Sequence, residues 1–131
     1  MDRLVAAARA AAAKAYAPYS DFAVGCAVES IDGEVVTGAN MENACYRLGL
    51  CAEQAALAAA QAAFGLANIA RIAVIAPSSV TPITPCGGCR QAIFEAGSNI
   101  VVLCASGDGT RVDTHRIAEL LPHAFTLNPP A

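Results

Sequence analysis

Apolar positions recur along this chain in short segments that switch between a helical and an extended period. Residues 2–16 are alanine-rich, and Leu4, Val5 and Ala8 fall on one face of a helix that Ala17-Pro18-Tyr19-Ser20 ends. Phe22 to Glu29 reads as a strand, and Asp32-Gly33 is a hairpin turn into Glu34-Val35-Val36-Thr37. Asn40 to Gly49 is polar and aperiodic, which predicts an irregular loop. A helix is expected from near Cys51 to about Phe64, closed by Gly65. Ile72 to Ala76 reads as a buried strand, followed by a proline-rich loop from Pro77 to Pro85. A further helix is expected from Cys86 to Gly97, and a strand from Ile100 to Cys104. Gly107-Asp108-Gly109 marks a turn, and Thr114 is expected to cap a short final helix through Leu121. A strand pair followed by helix, strand, helix, strand predicts an α/β fold. The expected architecture is a three-layer α/β/α sandwich around a mixed central sheet, with residues 1–131 as one domain.

Composition narrows the function classes. The chain is 56% hydrophobic and only 15% charged, more apolar than a small solvated monomer needs, although alanine supplies part of the excess. Surplus apolar surface points to subunit contacts. No apolar run approaches the roughly 20 residues of a membrane span. Met1-Asp2-Arg3-Leu4 does not open a signal peptide, so a cytoplasmic protein with no membrane partner is expected. Net charge is −3 and the basic residues are scattered, whereas a nucleic-acid groove wants a basic stripe. Six cysteines suggest disulfides at first sight, but the missing export signal and the aliphatic core argue against them. Cys26 and Cys104 lie in apolar strand-like runs and read as buried small hydrophobes. Cys45 is ambiguous.

The chemistry lies in the other three cysteines. Cys86-Gly87-Gly88-Cys89 brings two thiolates within reach of one metal ion, and Cys51 can supply a third. Three protein ligands leave a tetrahedral position open, which separates catalytic from structural zinc. Glu53, two residues after Cys51, is badly placed to share the metal and well placed to move the protons of an attacking water. A glutamate followed later by Pro-Cys-x-x-Cys is the pattern of zinc-dependent nucleobase deaminases, three-cysteine variants included. Both cysteine motifs fall at expected helix N-termini, whose free N–H groups and partial positive charge favour thiolates. Blander readings stand beside this one. Cys45 could close a structural site. Cys86 and Cys89 could be a redox pair, which leaves Cys51-Ala52-Glu53 unexplained. Glu42 would ordinarily be a solvated carboxylate, Tyr46 and Phe125 core or interface aromatics, and His115 and His123 surface or capping residues.

With these residues in hand, the chain resembles the small homotetrameric zinc-dependent cytidine deaminases over nearly its whole length. The resemblance rests on Ala17-Pro18-Tyr19-Ser20 with Phe22 and Val24-Gly25, Asn40-Met41-Glu42-Asn43-Ala44, Tyr46, Cys51-Ala52-Glu53, Pro85-Cys86-Gly87-Gly88-Cys89-Arg90-Gln91, and Glu119-Leu120-Leu121-Pro122 leading to Ala124-Phe125. It implies that Cys51, Cys86 and Cys89 bind zinc and that Glu53 moves protons. It also implies that Asn40 and Glu42 hold the sugar hydroxyls, that the backbone N–H of Ala52 meets the pyrimidine 2-carbonyl, and that Phe22 packs on the nucleoside. Ala44, Tyr46 and Phe125 would complete pockets across subunit interfaces of a tetramer. The implied reaction is hydrolytic deamination of cytidine and deoxycytidine in pyrimidine salvage, with zinc as the only cofactor. A modified cytosine nucleoside or a blasticidin-type aminonucleoside is the alternative substrate. A zinc-holding nucleoside-binding protein without turnover is the alternative function, against which the intact Glu53 argues.

The chain departs from that family's usual pattern at four positions. Gln54 stands where an arginine usually follows the catalytic glutamate. Cys45, Arg47 and Gly49 stand where serine, glycine, and threonine or cysteine are usual. Gln54 can donate a hydrogen bond to sulfur but brings no charge. Arg90, directly after Cys89, is the favoured electrostatic partner of the thiolates, and Arg47 is the second choice.

Overall fold

Strand β1 (Gly25–Ser30) is paired on both edges, antiparallel to β2 (Val35–Ala39) and to β3 (Ile69–Ile75). β3 runs parallel to β4 (Val101–Ala105), and β5 (Val112–Arg116) closes the far edge antiparallel to β4. The mixed five-stranded sheet has the order β2-β1-β3-β4-β5. This is a computed structural model, and it describes residues 1–127; the last four residues of the expected 1–131 domain lie outside the described residues.

Strand alternation sends side chains to two faces, and each face has its own core. Cys26 and Val28 of β1, Ile72 and Val74 of β3, and Val102 and Cys104 of β4 point to one side. There they meet α2 (Ala52–Ala63), α3 (Gly87–Ala96) and α4 (Ile117–Leu120) through Ala56, Ile93 and Ile117. Ala27, Ala73, Ile75, Leu103 and Ala105 point to the other side and pack on Leu4, Val5 and Ala8 of α1 (Arg3–Ala12). The expected three-layer α/β/α sandwich is therefore present, with Leu4, Val5 and Ala8 on the buried face of α1 as the periodicity requires.

One close approach fixes where α2 lies. Gly38 of β2 faces α2, and a Cβ built there would lie 2.5 Å from Ala56 N and 2.9 Å from Ala52 O. Only glycine lets the helix backbone lie this near the sheet.

The structure corrects several boundaries. The first helix stops at Ala12 instead of reaching residue 16, because Tyr16 turns away to pair with the loop after β2. Tyr16 N–H donates to Asn40 O at 2.9 Å, and Glu42 N–H donates to Tyr16 O at 2.8 Å. β1 starts at Gly25, three residues after Phe22; residues 22–24 are held instead by Asn40, through its side chain and its backbone N–H to Val24 O. The larger correction is residues 112–116. Thr114 caps no helix; it lies in β5 opposite Leu103. A polar, half-exposed strand has weak periodicity, and its state is set by β4, whose outer edge would otherwise lack hydrogen-bond partners. Only Ile117–Leu120 is helical in this segment.

Candidate active site

Two helix starts meet on one face of the sheet and bring the cysteines together. Cys51 is the N-cap of α2 and Cys86 the N-cap of α3, both in extended backbone conformations. Cys89 lies in the first turn of α3 and is fully buried. The sulfur atoms of Cys51, Cys86 and Cys89 all lie within 4.8 Å of one another. Three sulfurs bonded to a tetrahedral zinc at about 2.3 Å are roughly 3.8 Å apart, so the cluster fits a zinc ion with little adjustment. A donor set of three thiols, with a position left for a non-protein ligand, is the chemistry of a soft divalent cation. The Cys86 thiol is held below its usual pKa by the backbone N–H of Cys89, while burial pushes the thiols of Cys51 and Cys89 up. Metal binding must therefore release protons from this cluster.

Glu53 occupies the first turn of α2 and is 5% exposed. Burial raises its carboxyl pKa above the ordinary range. Gln54 points its amide at the metal cluster, with Nε2 3.9 Å from Cys89 Sγ. Arg90 points elsewhere. Its Nε donates to Pro85 O at 2.7 Å, Nη1 to Leu120 O at 2.7 Å and Nη2 to Thr84 Oγ1 at 2.9 Å. These three guanidinium donors therefore go to oxygen acceptors, and the side-chain amide contact to Cys89 sulfur comes from Gln54. Arg47 lies exposed in a short 3-10 turn, Tyr46–Leu48.

Above the cysteines opens a cleft of about 410 Å³. Cys51, Ala52, Glu53, Cys86 and Cys89 are among its lining residues. Phe22, Val24, Ile83, Thr84, Ser20, Asn40 and Glu42 complete the lining. Asn40 and Glu42 are tightly tied. Asn40 Oδ1 accepts from Val24 N–H at 2.8 Å, and Asn40 Nδ2 donates to Phe22 O at 2.9 Å. Glu42 accepts from the N–H groups of Tyr19 at 2.9 Å and Ser20 at 3.1 Å, and from the Ser20 hydroxyl. Ser20 Oγ in turn accepts from Phe22 N–H at 3.1 Å. These donors, the Ser20 hydroxyl first, hold the Glu42 carboxyl below its usual pKa.

The cleft brings together Phe22, Asn40, Glu42, Cys51, Ala52, Glu53, Cys86 and Cys89. It leaves out Ala44, Tyr46 and Phe125, which stand on the surface of their own chain. Tyr46 is 82% exposed and packs edge-on against Tyr19, with ring centroids 6.2 Å apart. Phe125 is 68% exposed, and its carbonyl accepts from Gln91 Nε2 at 2.9 Å. Sequence reasoning assigns no cleft role to Ser20, Val24, Ile83 or Thr84, although Ser20 and Val24 stand in the motifs that carry the resemblance. Thr84 lies two residues before a metal-binding cysteine, the only local signal that could mark it. All six cysteines are free, with Cys26 and Cys104 buried in the core as anticipated, and Cys45 is exposed. Among the described residues, no helix is long and apolar enough to cross a membrane.

Comparison with known proteins agrees with this geometry. Residues 1–105 match the family model described as the cytidine and deoxycytidylate deaminase zinc-binding region. A cytidine deaminase of Mycobacterium tuberculosis is 43% identical over 118 residues, covering 90% of this chain and 84% of that protein. One from Halalkalibacterium halodurans is 42% identical over 131 residues, covering 96% of each. Among solved structures, a cytidine deaminase of Burkholderia pseudomallei superposes with a TM-score of 0.88 at 44% identity, covering 95% of this chain and 100% of that one. On these matches and on the three-cysteine cluster beside a buried glutamate, the chain belongs to the zinc-binding cytidine and deoxycytidylate deaminase family.

Proposed function

We propose that this chain is a zinc-dependent hydrolase that converts cytidine and deoxycytidine to uridine and deoxyuridine with release of ammonia, the whole chain forming one catalytic domain. The observation that carries this reading is the placement of a buried glutamate beside three convergent cysteines in the lining of a cleft of about 410 Å³. Cys51, Cys86 and Cys89 would hold zinc, which would supply the Lewis acidity that makes water a nucleophile near neutral pH.

The remaining steps belong to residues of this chain. The Glu53 carboxylate accepts one proton from the attacking water and delivers it to N3 of the pyrimidine, which makes C4 electrophilic. The water oxygen bonds to C4. Glu53 then carries the second proton to the 4-amino group, the C4–N bond breaks, and ammonia leaves. One water is consumed and no electrons change hands. A carboxyl whose pKa is raised by burial suits both halves of this shuttle.

Orientation comes from the cleft. The N–H of Ala52 lies in the first turn of α2, where it has no acceptor within the helix, and it is offered to the 2-carbonyl. Phe22 packs on the nucleoside. Asn40 and Glu42 receive the sugar hydroxyls while also bracing the loop; a carboxylate has about four acceptor sites, so Glu42 can serve both. Ala44, Tyr46 and Phe125, exposed on the isolated chain, would complete the pockets of neighbouring copies in a homotetramer. Their exposure and the apolar composition support that assembly. Six free cysteines suit a reducing cytoplasm, where the reaction would serve pyrimidine nucleoside salvage.

An ammonia-release assay over cytidine, deoxycytidine and free cytosine tests the reading. Both nucleosides should turn over and cytosine should be much slower, because sugar contacts position the ring for attack. Turnover of none of the three, or cytosine as the best substrate, would reject it. Sedimentation at assay concentration should give a tetramer; an active monomer would reject the shared pockets.

A further inference from the structure

Arg90 lies one residue beyond the ligand Cys89, and its side chain runs back against the chain direction. It grips three acceptors on two separate segments: Pro85 O at 2.7 Å, Thr84 Oγ1 at 2.9 Å and Leu120 O at 2.7 Å. Among the described residues, no carboxylate forms a salt bridge with it. Pro85 is fully buried and immediately precedes the ligand Cys86, and Thr84 forms part of the cleft lining. Leu120 ends the single turn of α4, so its carbonyl has no partner within the helix.

We propose that Arg90 is a positioning residue that sets Cys86 for metal binding by clamping the Thr84-Pro85 segment to the C-terminal end of α4. The inference rests on the zinc-hydrolase reading above. A planar guanidinium presents several N–H donors in fixed directions, so one side chain orients the peptide that leads into Cys86 and ties it to an element thirty residues away in sequence. Its neighbour Gln91 continues the same brace by holding Phe125 O at 2.9 Å. The N-terminal half of α3 thus links a metal ligand to the C-terminal segment. Charge alone does not explain the arrangement, since the side-chain amide contact to Cys89 sulfur comes from Gln54. Groups that orient metal ligands typically contribute roughly 10- to 100-fold in metal affinity.

The test is zinc affinity, measured by competition with a chromophoric chelator for wild type, Arg90→Gln, Arg90→Lys and Thr84→Val, with thermal unfolding of the zinc-free proteins in parallel. Arg90→Gln and Arg90→Lys should both lose roughly 10- to 100-fold in affinity, since one ammonium cannot span three acceptors. Thr84→Val removes one acceptor and should lose less, in the same direction. Wild-type affinity in Arg90→Lys would mean that charge, not the clamp, matters, and would overturn the proposal. Unchanged affinity with a lowered melting temperature would reduce Arg90 to a structural brace and would overturn it equally. If the Arg90 variants do not fold, unchanged zinc affinity in Thr84→Val overturns it. A wild type that binds no zinc would instead reject the functional reading on which this rests.

Discussion

Gly38→Ala should damage the active site from the far side of a helix. The new methyl would lie 2.5 Å from Ala56 N and 2.9 Å from Ala52 O and Ala55 C, all backbone atoms that cannot rotate away. Ordinary contact begins at 3.4 Å, so α2 must retreat from the sheet by about 0.9 Å, or β2 must bend outward as far. α2 carries Cys51 at its N-cap and Glu53 in its first turn, whereas Cys86 and Cys89 ride on α3. A shift of that size in one helix changes the distance between ligands, and metal sites tolerate only about 0.2 Å. Overpacking of this kind costs about 1–3 kcal/mol, and a misplacement near 1 Å can cost about 100-fold in rate. The expected result is a folded variant with lower melting temperature, weaker zinc binding and a kcat/KM for cytidine reduced by roughly one to two orders of magnitude. Ammonia release, zinc titration and thermal melts give the three readings. A Gly38→Ala protein with wild-type zinc affinity and wild-type kcat/KM would refute the claim that this glycine sets the helix.

Cys86→Ala should abolish stoichiometric zinc binding and lower the melting temperature, because two thiols cannot hold the ion that ties α2 to α3; full zinc content by elemental analysis would mean that the ligand set is wrong. Ser20→Ala removes the first of the donors that depress the Glu42 pKa, so the Glu42 carboxyl should titrate higher in an NMR pH series. The sign follows from the depression. This carboxylate's contribution to stability is present above the ordinary carboxyl pKa of 4.5 and is lost as pH falls through the lowered folded value, and Ser20→Ala should shift that loss to higher pH. An unchanged Glu42 titration would remove Ser20 from the latch. Because Asn40 and Glu42 also hold the backbone of residues 19–24, Glu42→Ala should slow free cytosine as well as nucleosides, in contrast to a residue that only binds sugar.

The parts of this protein that are legible in its sequence are those written in short range. Cys51 with Glu53, and Cys86 with Cys89, carry their geometry in spacings of two and three residues, and helix starts supply the rest. The α1 face and the buried strands are legible because periodicity reports burial directly. β5 is not, since Val112-Asp113-Thr114-His115-Arg116 owes its state to the unpaired edge of β4. The direction of Arg90 is not legible either. Its neighbour Cys89 suggests a thiolate partner, but the acceptor at Leu120 comes close only when α4 packs beside α3. Ser20 and Thr84 have ordinary loop identities, and only the folded chain puts one against Glu42 and the other in the cleft lining.

The most direct test of the account is Glu53→Gln, assayed for zinc content, nucleoside binding and ammonia release in the same preparation. The amide keeps the size and hydrogen-bonding reach of the carboxylate but cannot shuttle a proton. The account requires about one zinc per chain, as in the wild type, with cytidine still bound and ammonia release nearly abolished. Near-normal turnover in the zinc-loaded variant would remove Glu53 from the chemistry and contradict the mechanism at its centre.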